Sequence, residues 1–229
     1  MNIKVIIAAS GTGTRMGGDK PKQFQLLNKV PVLKHTISAF NSIEYVSEIA
    51  VAVPMGYIKS VNNYGFEKVR HIVEGGNSRA ESIYKALQCL SSAENNQIIL
   101  IHDGARPLIS HETIILVAEA TAKHHAAIAC APVTDTIKTV DTTGKITSTP
   151  NRNNLWRAQT PQGFTYEIIS KAYEQGEKDG ILSNATDDSA LVERLNIPVY
   201  TVPSPNSNIK ITTPEDMIIA QSLLKEVNI

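Results

Sequence analysis

Short apolar runs recur along the chain, each followed by a stretch whose apolar residues lie three and four apart. Residues 5–9, 49–53, 98–101 and 127–133 are apolar at consecutive positions, and residues 69–73 carry Val69, Ile72 and Val73 around Arg70 and His71; all five read as strands buried in a parallel sheet. Residues 32–40, 79–90 and 112–123 have helical spacing instead, seen in Ile83, Leu87 and Leu90 and in Ile115, Ala118 and Ala122. Thr213-Pro214-Glu215-Asp216 combines an N-cap residue, a proline at the first helical position and two acids, which predicts a helix start. Asp187 and Asp188 fall in the first turn expected of a helix running to Leu195, where the helix dipole favours acids. The alternation in "NIKIT" predicts a strand with Lys210 on one face. Alternating strand and helix units predict an α/β chain with a mostly parallel sheet and helices on both faces. Ligands of such sheets bind at the carboxyl ends of the strands.

One segment departs from this rhythm. Residues 135–164 have no helical period, and Ile137-Lys138-Thr139-Val140, Asp141-Thr142-Thr143-Gly144 and Lys145-Ile146-Thr147-Ser148 read as strand, turn and strand. Such an excursion is either functional, as a lid or dimerisation arm, or an extra antiparallel edge of the sheet. No linker or repeat divides residues 1–229, which are expected to form one domain with 135–164 as the hairpin.

Composition narrows the partners. The chain has 229 residues, 42% of them hydrophobic, enough for one sizeable core. Lys plus Arg and Asp plus Glu each number 22, so no global field favours nucleic acid or an anionic membrane surface. Cys89 and Cys130 lack metal-ligand spacing and suit reduced thiols. The N-terminal apolar run is too short for a signal peptide, and no run reaches a membrane span, so a cytoplasmic protein is expected.

Candidate chemistry gathers after the strands. Gly11-Thr12-Gly13 follows the first one, but Met16 stands at the third glycine of a dinucleotide fingerprint, and Asp19 replaces the lysine of a Walker A loop. What remains is a glycine loop whose N–H groups can approach an anion, with Arg15 and Lys22 beside it; a plain strand-to-helix turn is the alternative. Asp103, in "IHDGARP", should project from the carboxyl edge of a strand, either as a Mg²⁺ ligand among phosphates or as a turn residue paired with Arg106. "EGGNSRAES" places Gly75 and Gly76 after another strand, with Asn77 or Ser78 able to cap the following helix. Thr136, Arg152, Thr160 and Thr186 are polar or cationic groups expected in loops. The histidines show no zinc spacing, and no G-x-S-x-G elbow occurs.

In this order, "GTGTRM" with "PKQF", "GGNSRAES", "HDGARP", "PVTDTIK", "LWRAQTPQGF", "ATDDSAL" and "NIKITTPEDM" resemble the 2-C-methyl-D-erythritol 4-phosphate cytidylyltransferases of the non-mevalonate isoprenoid pathway, over nearly the whole chain. The resemblance implies a Rossmann-like sheet of nucleotidyltransferase type with a protruding β-arm. It implies a reaction in which CTP and the sugar-alcohol phosphate give a CDP-alcohol and pyrophosphate with Mg²⁺ present. Arg15 and Lys22 match the family's transition-state stabilisers, which would act on charge developing at the α-phosphorus. Arg152 and Lys210 match residues that position the acceptor, with Thr136, Thr160, Thr186, Asp103 and Arg106 in the same set. Ala9, Ser10, Gly11, Gly13, Gly76, Asn77, Arg79, Ser82, Asp103 and Gly104 match the CTP-binding positions, and Asp103 the metal ligand. Ser10 and Asn77 depart from the family's usual small and acidic residues, and Gly104 stands where alanine is common. The arm at 135–164 implies a homodimer in which Thr136 and Arg152 serve the neighbouring site.

Two readings compete. A ribitol 5-phosphate cytidylyltransferase would share the fold, but usually has one more residue between the methionine and the proline than the four separating Met16 from Pro21. A nucleotide-binding module without catalysis would have no use for cations reserved for a transition state.

Overall fold

The structure is a computed structural model that describes residues 1–11, 20–90 and 93–227. The strands are β1 (Ile3–Ala8), β2 (Leu26–Leu27), β3 (Val30–Pro31), β4 (Val46–Val53), β5 (Val69–Glu74), β6 (Ile98–Asp103), β7 (Ala126–Pro132), β8 (Thr139–Val140), β9 (Ile146–Ser148), β10 (Trp156–Thr165) and β11 (Tyr200–Pro203). The helices are α1 (Val32–Asn41), α2 (Ile58–Asn62), α3 (Arg79–Gln88), α4 (His111–His124), α5 (Tyr166–Lys178), α6 (Asp188–Glu193) and α7 (Pro214–Val227).

Seven strands form one sheet in the order β11-β7-β10-β6-β1-β4-β5, parallel except for β10, which runs antiparallel to both neighbours. Alternate residues of a strand face opposite layers, so Val5 and Ile7 pack with Leu33 and Ile37 of α1 and Val117 of α4, whereas Ile6 packs with Ile83 of α3 and Tyr173 of α5. That double burial explains the unbroken apolar runs of β1, β4, β6 and β7, while β5, at the edge of the sheet, is only partly buried and carries Arg70 and His71. The fold is the expected α/β sheet with helices on both faces.

Three expectations change. Residues 135–164 are not one excursion: β8 and β9 pair as a hairpin, with every residue from 134 to 149 exposed, while Trp156–Thr165 enters the middle of the sheet between β6 and β7. This strand was hidden by its polar residues Gln159, Thr160 and Gln162, which are buried because hydrogen bonds satisfy them. Pro161 sits where the β10–β7 register shifts, and so displaces no regular ladder bond. Thr160 is therefore a strand residue rather than a loop one. Finally, "NIKIT" is extended but forms no strand: Ile211 donates its N–H to the Ala105 carbonyl at 2.8 Å and buries its side chain with Leu27 and Val32.

Among the described residues, no helix is long and apolar enough to cross a membrane. Cys89 and Cys130 are free thiols.

Candidate active site

β1 and β6 are adjacent and parallel, with Ala8 level with Asp103, so both chains leave the sheet at the same edge. The Gly104 N–H donates to the Ala8 carbonyl at 2.8 Å and ties the two loops together. An added Cβ on Gly104 would lie 2.8 Å from the Ala9 Cβ, so an alanine here would make the two loops shift slightly apart. Buried Gln23 braces the first loop from the other side, its Nε2 donating to the carbonyls of Ala9 at 2.5 Å and Gly11 at 2.9 Å.

α3 supplies the third wall. Ser78 caps it by accepting the Glu81 N–H at 3.1 Å, while the Glu81 carboxylate accepts the Asn77 N–H at 2.8 Å. The Ser82 hydroxyl, fully buried one turn on, donates to the Ser78 carbonyl at 2.7 Å and accepts from the Gly76 N–H at 2.9 Å and the Ser10 hydroxyl at 2.6 Å. It thus joins the first loop to the α3 loop. Gly75 packs so closely on Ser10 that a Cβ there would overlap the Ser10 side chain. Between these walls lies a cavity of about 520 Å³.

Ala9, Ser10, Gly11, Lys22, Gly76 and Asn77 line this cavity on one side, with Arg79, Asp103 and Lys210 on the other. Asp103 is the hub. Its Oδ1 accepts from Arg79 Nε at 2.9 Å, and its Oδ2 takes Lys210 Nζ at 2.8 Å, with Arg106 Nε at 3.6 Å. Burial alone would raise the pKa of this carboxyl, but Arg79, Lys210 and Arg106 overcome it and hold the group well below the usual carboxylate range. Lys210, anchored on one side, keeps part of its side chain exposed to the cavity. Arg106 is more deeply set, with Nη1 donating to the Asn208 carbonyl at 2.8 Å.

Thr160 does not face this cavity. Its buried hydroxyl accepts the Asp103 N–H at 3.1 Å and meets His102 Nδ1 at 3.0 Å, while His102 Nε2 lies 3.1 Å from the Arg106 carbonyl. With Nε2–H donating to that carbonyl, Nδ1 is left to accept from Thr160, so the bonds run one way from Asp103 to Arg106. Burial lowers the His102 pKa to about 4, and the neutral ring serves as a brace.

Sequence reasoning missed the partners that hold these groups. Asp187 is the N-cap of α6, accepting the Ala190 N–H at 3.0 Å, but Asp188 turns inward, fully buried, against Arg79. A helix needs only one cap, so the second acid of "ATDDSAL" was the available signal. Gln162 and Asn208 carried no such signal. Thr136, Arg152 and Thr186 are exposed and outside the cavity, with Arg152 Nη1 donating to the Thr134 carbonyl at 2.8 Å. Gly13 and Arg15 lie outside the described residues.

Among the described residues, no group of three or more His, Cys, Asp or Glu is arranged to hold a metal. Asp103 is the one carboxylate lining the cavity among the described residues, and both its oxygens already carry cations. A magnesium ion here would draw most of its ligands from substrate phosphates and water.

Comparison with known proteins gives the same picture. The family model of 2-C-methyl-D-erythritol 4-phosphate cytidylyltransferase (IspD) matches residues 3–226. A protein of that name from Geotalea uraniireducens (strain Rf4) is 41% identical over 233 residues, spanning 100% of this chain and 99% of the relative. One from Alkaliphilus oremlandii (strain OhILAs) is 44% identical over 230 residues, spanning 96% and 94%. Among solved structures, the Francisella tularensis enzyme of the same name superposes with a TM-score of 0.85 at 30% identity, covering 97% of this chain and 99% of the other. The Thermus thermophilus enzyme gives 0.80 at 30% identity, covering 98% and 100%. The chain belongs to the family of 2-C-methyl-D-erythritol 4-phosphate cytidylyltransferases.

Proposed function

We propose that this chain transfers the cytidylyl group of CTP to 2-C-methyl-D-erythritol 4-phosphate, giving 4-diphosphocytidyl-2-C-methyl-D-erythritol and pyrophosphate for isoprenoid synthesis. The observation that carries the reading is the cavity at the ends of β1 and β6, where Lys22 and Lys210 stand beside a wall of loop backbone. An oxygen of the acceptor phosphate forms the new bond to the α-phosphorus of CTP as the bond to the β-phosphate oxygen breaks. The attacking phosphate monoester is already ionised near neutral pH, so positioning and charge neutralisation suffice. His102 has no part as a base, being fully buried with both ring nitrogens engaged.

Arg15 and Lys22 are assigned to the charge that develops at the α-phosphorus, where fixed cations favour the transition state over the ground state. Lys210 and Arg152, with Thr136 and Thr186, are assigned to the acceptor. Because Arg152 and Thr136 do not line their own cavity, they are assigned to the neighbour's site in a homodimer, reached by the exposed segment that carries the β8–β9 hairpin. Mg²⁺ is assigned to the incoming triphosphate, where it neutralises phosphate charge, with Asp103 as the protein carboxylate within the cavity. The two free thiols support a cytoplasmic setting.

The test is pyrophosphate release from CTP over a panel of polyol phosphates with and without Mg²⁺. Methylerythritol phosphate should be turned over at least about tenfold faster than ribitol 5-phosphate, within the range a few pocket contacts can supply. Preference for ribitol would identify the related enzyme, and CTP binding without pyrophosphate release would identify a binding module.

A further inference from the structure

The Arg79 guanidinium is held by two carboxylates from different parts of the chain. Its Nε donates to Asp103 at 2.9 Å, while Nη1 and Nη2 donate to the two oxygens of Asp188 at 3.0 and 2.9 Å. The Arg79 side chain is 27% exposed and lines the cavity, whereas Asp188 is 0% exposed and does not line it. Asp188 is itself held on every side. The Tyr173 hydroxyl donates to its Oδ1 at 2.6 Å, and Gln162 Oε1 accepts the Asp188 and Ser189 N–H groups at 3.1 and 3.0 Å. Tyr173 is fully buried and stacks on Tyr84, with ring centroids 5.8 Å apart. Burial lowers the Arg79 pKa, but Asp188 and then Asp103 more than restore it and carry it well above the ordinary value.

A helix cap cannot explain this arrangement, because Asp187 already caps α6. Nor is the pair a surface bridge, since a buried carboxylate costs several kcal/mol of desolvation unless its partner is well placed. What the fork-to-carboxylate geometry supplies is orientation: two parallel bonds fix the plane of the guanidinium, and hence where its Nε points. The Nε bond fixes Asp103 Oδ1, and with it Oδ2, on which Lys210 is seated.

We propose that Asp188 is a positioning residue for the transfer reaction, acting from behind the cavity through Arg79 and Asp103 to set the place of Lys210. This rests on the cytidylyltransferase reading, and assigns a role to a residue that contacts neither substrate. Without the Asp188 charge, Arg79 would be held only through Nε and free to turn, and Asp103 would swing with it. Ser10, Gly76 and Asn77, which also line the cavity, are held by Ser82 and Glu81 and do not hang on this chain of contacts. Arg79 and Asp103 also stand at CTP-binding positions, so the part of the effect that passes through Lys210 is the one read in kcat.

The test compares Asp188→Asn, Tyr173→Phe and Lys210→Gln, singly and in pairs, in steady-state pyrophosphate release, with folding checked by thermal unfolding. Asp188→Asn should lower kcat by about tenfold or more, and that loss in kcat should largely vanish in the Lys210→Gln background. Tyr173→Phe, which keeps the ring and removes only the hydroxyl, should give a smaller kcat loss of about threefold, also absent beside Lys210→Gln. Full additivity with Lys210→Gln, or an unchanged kcat in a folded Asp188→Asn enzyme, would overturn the proposal. If Asp188→Asn does not fold, Tyr173→Phe decides alone, and unchanged kcat there overturns it. A parent enzyme that releases no pyrophosphate would instead overturn the functional reading.

Discussion

His102 and Asp103 are neighbours with opposite electrical fates. Asp103 keeps its charge because three cations reach it, whereas His102 next to it stays neutral because burial outweighs the pull of Asp103, and Arg106 and Arg79 disfavour a second positive charge. A histidine whose pKa falls from 6.5 to about 4 on folding leaves the unfolded chain binding the extra proton between those values. Its contribution to stability is therefore complete above pH 6.5 and is lost as the pH falls toward 4. Between about pH 7 and pH 4.5 the linkage amounts to about 2.5 kcal/mol. Urea unfolding at both pH values should show that loss in the parent protein and lack it in His102→Gln, whose own stability is lower throughout. A variant with the parent's full acid sensitivity would show that other groups carry it. Asp103 opposes none of this, since its lowered pKa removes stability only below the ordinary carboxylate range. At this scale the sequence was informative about residues that face the cavity and silent about those that hold them. Lys210 and Asp103 were legible as chemistry, while the hydroxyl of Thr160 and the amides of Gln162 and Asn208 acquire meaning only from what surrounds them.

Among the elements, β10 carries the most hidden structure. Gln162 is 1% exposed and bonded through both ends of its amide at the centre of the sheet: Nε2 donates to Gln159 O at 3.4 Å and to Asp187 at 2.9 Å, and Oε1 accepts from Asp188 and Ser189. Gln162→Leu would keep the volume but strand those two N–H groups at the start of α6. The expected cost is about 2 to 4 kcal/mol, measurable as a lowered midpoint in denaturant unfolding. A change under about 0.5 kcal/mol would mean that water replaces the side chain. β1, β4, β6 and β7 announced themselves because burial on both faces leaves few polar positions, and the helix starting at Pro214 announced itself by its cap. β10 did not, since polar residues that are paired internally read as loop. "NIKIT" misled in the opposite sense: its alternation reports an extended chain with two different faces, not a hydrogen-bonded ladder. α5 was readable, with Ile169, Ala172, Tyr173 and Gly176 three and four apart on its buried side, but the polar residues between them masked the stripe.

For the whole molecule, the proposed homodimer turns on the hairpin. Ile137, Val140 and Ile146 are exposed on it, and Trp156 is exposed just beyond it. A single chain gains nothing from holding those side chains in water, while a second copy would cover them. Sedimentation of the parent beside a variant lacking residues 137–149 should show a dimer and a monomer respectively, and the monomer should lose nearly all turnover, because Arg152 would no longer reach a neighbouring cavity. A deletion variant that stays dimeric would place the interface elsewhere.

The position of β10 also bears on synthesis. β6 and β7 follow one another in the chain but never touch as strands, for the gap between them is filled by a segment made only after both of them. Until Thr165 has left the ribosome, β6 has a raw sheet edge beside the slot that β10 will fill, and β7 has no strand partner, because β11 is made later still; a raw edge is the kind of surface on which other chains can add. The polar composition of the late strand then acquires a second use, since glutamines and threonines waiting in water are poor seeds for clumping, and they become core only when the slot receives them.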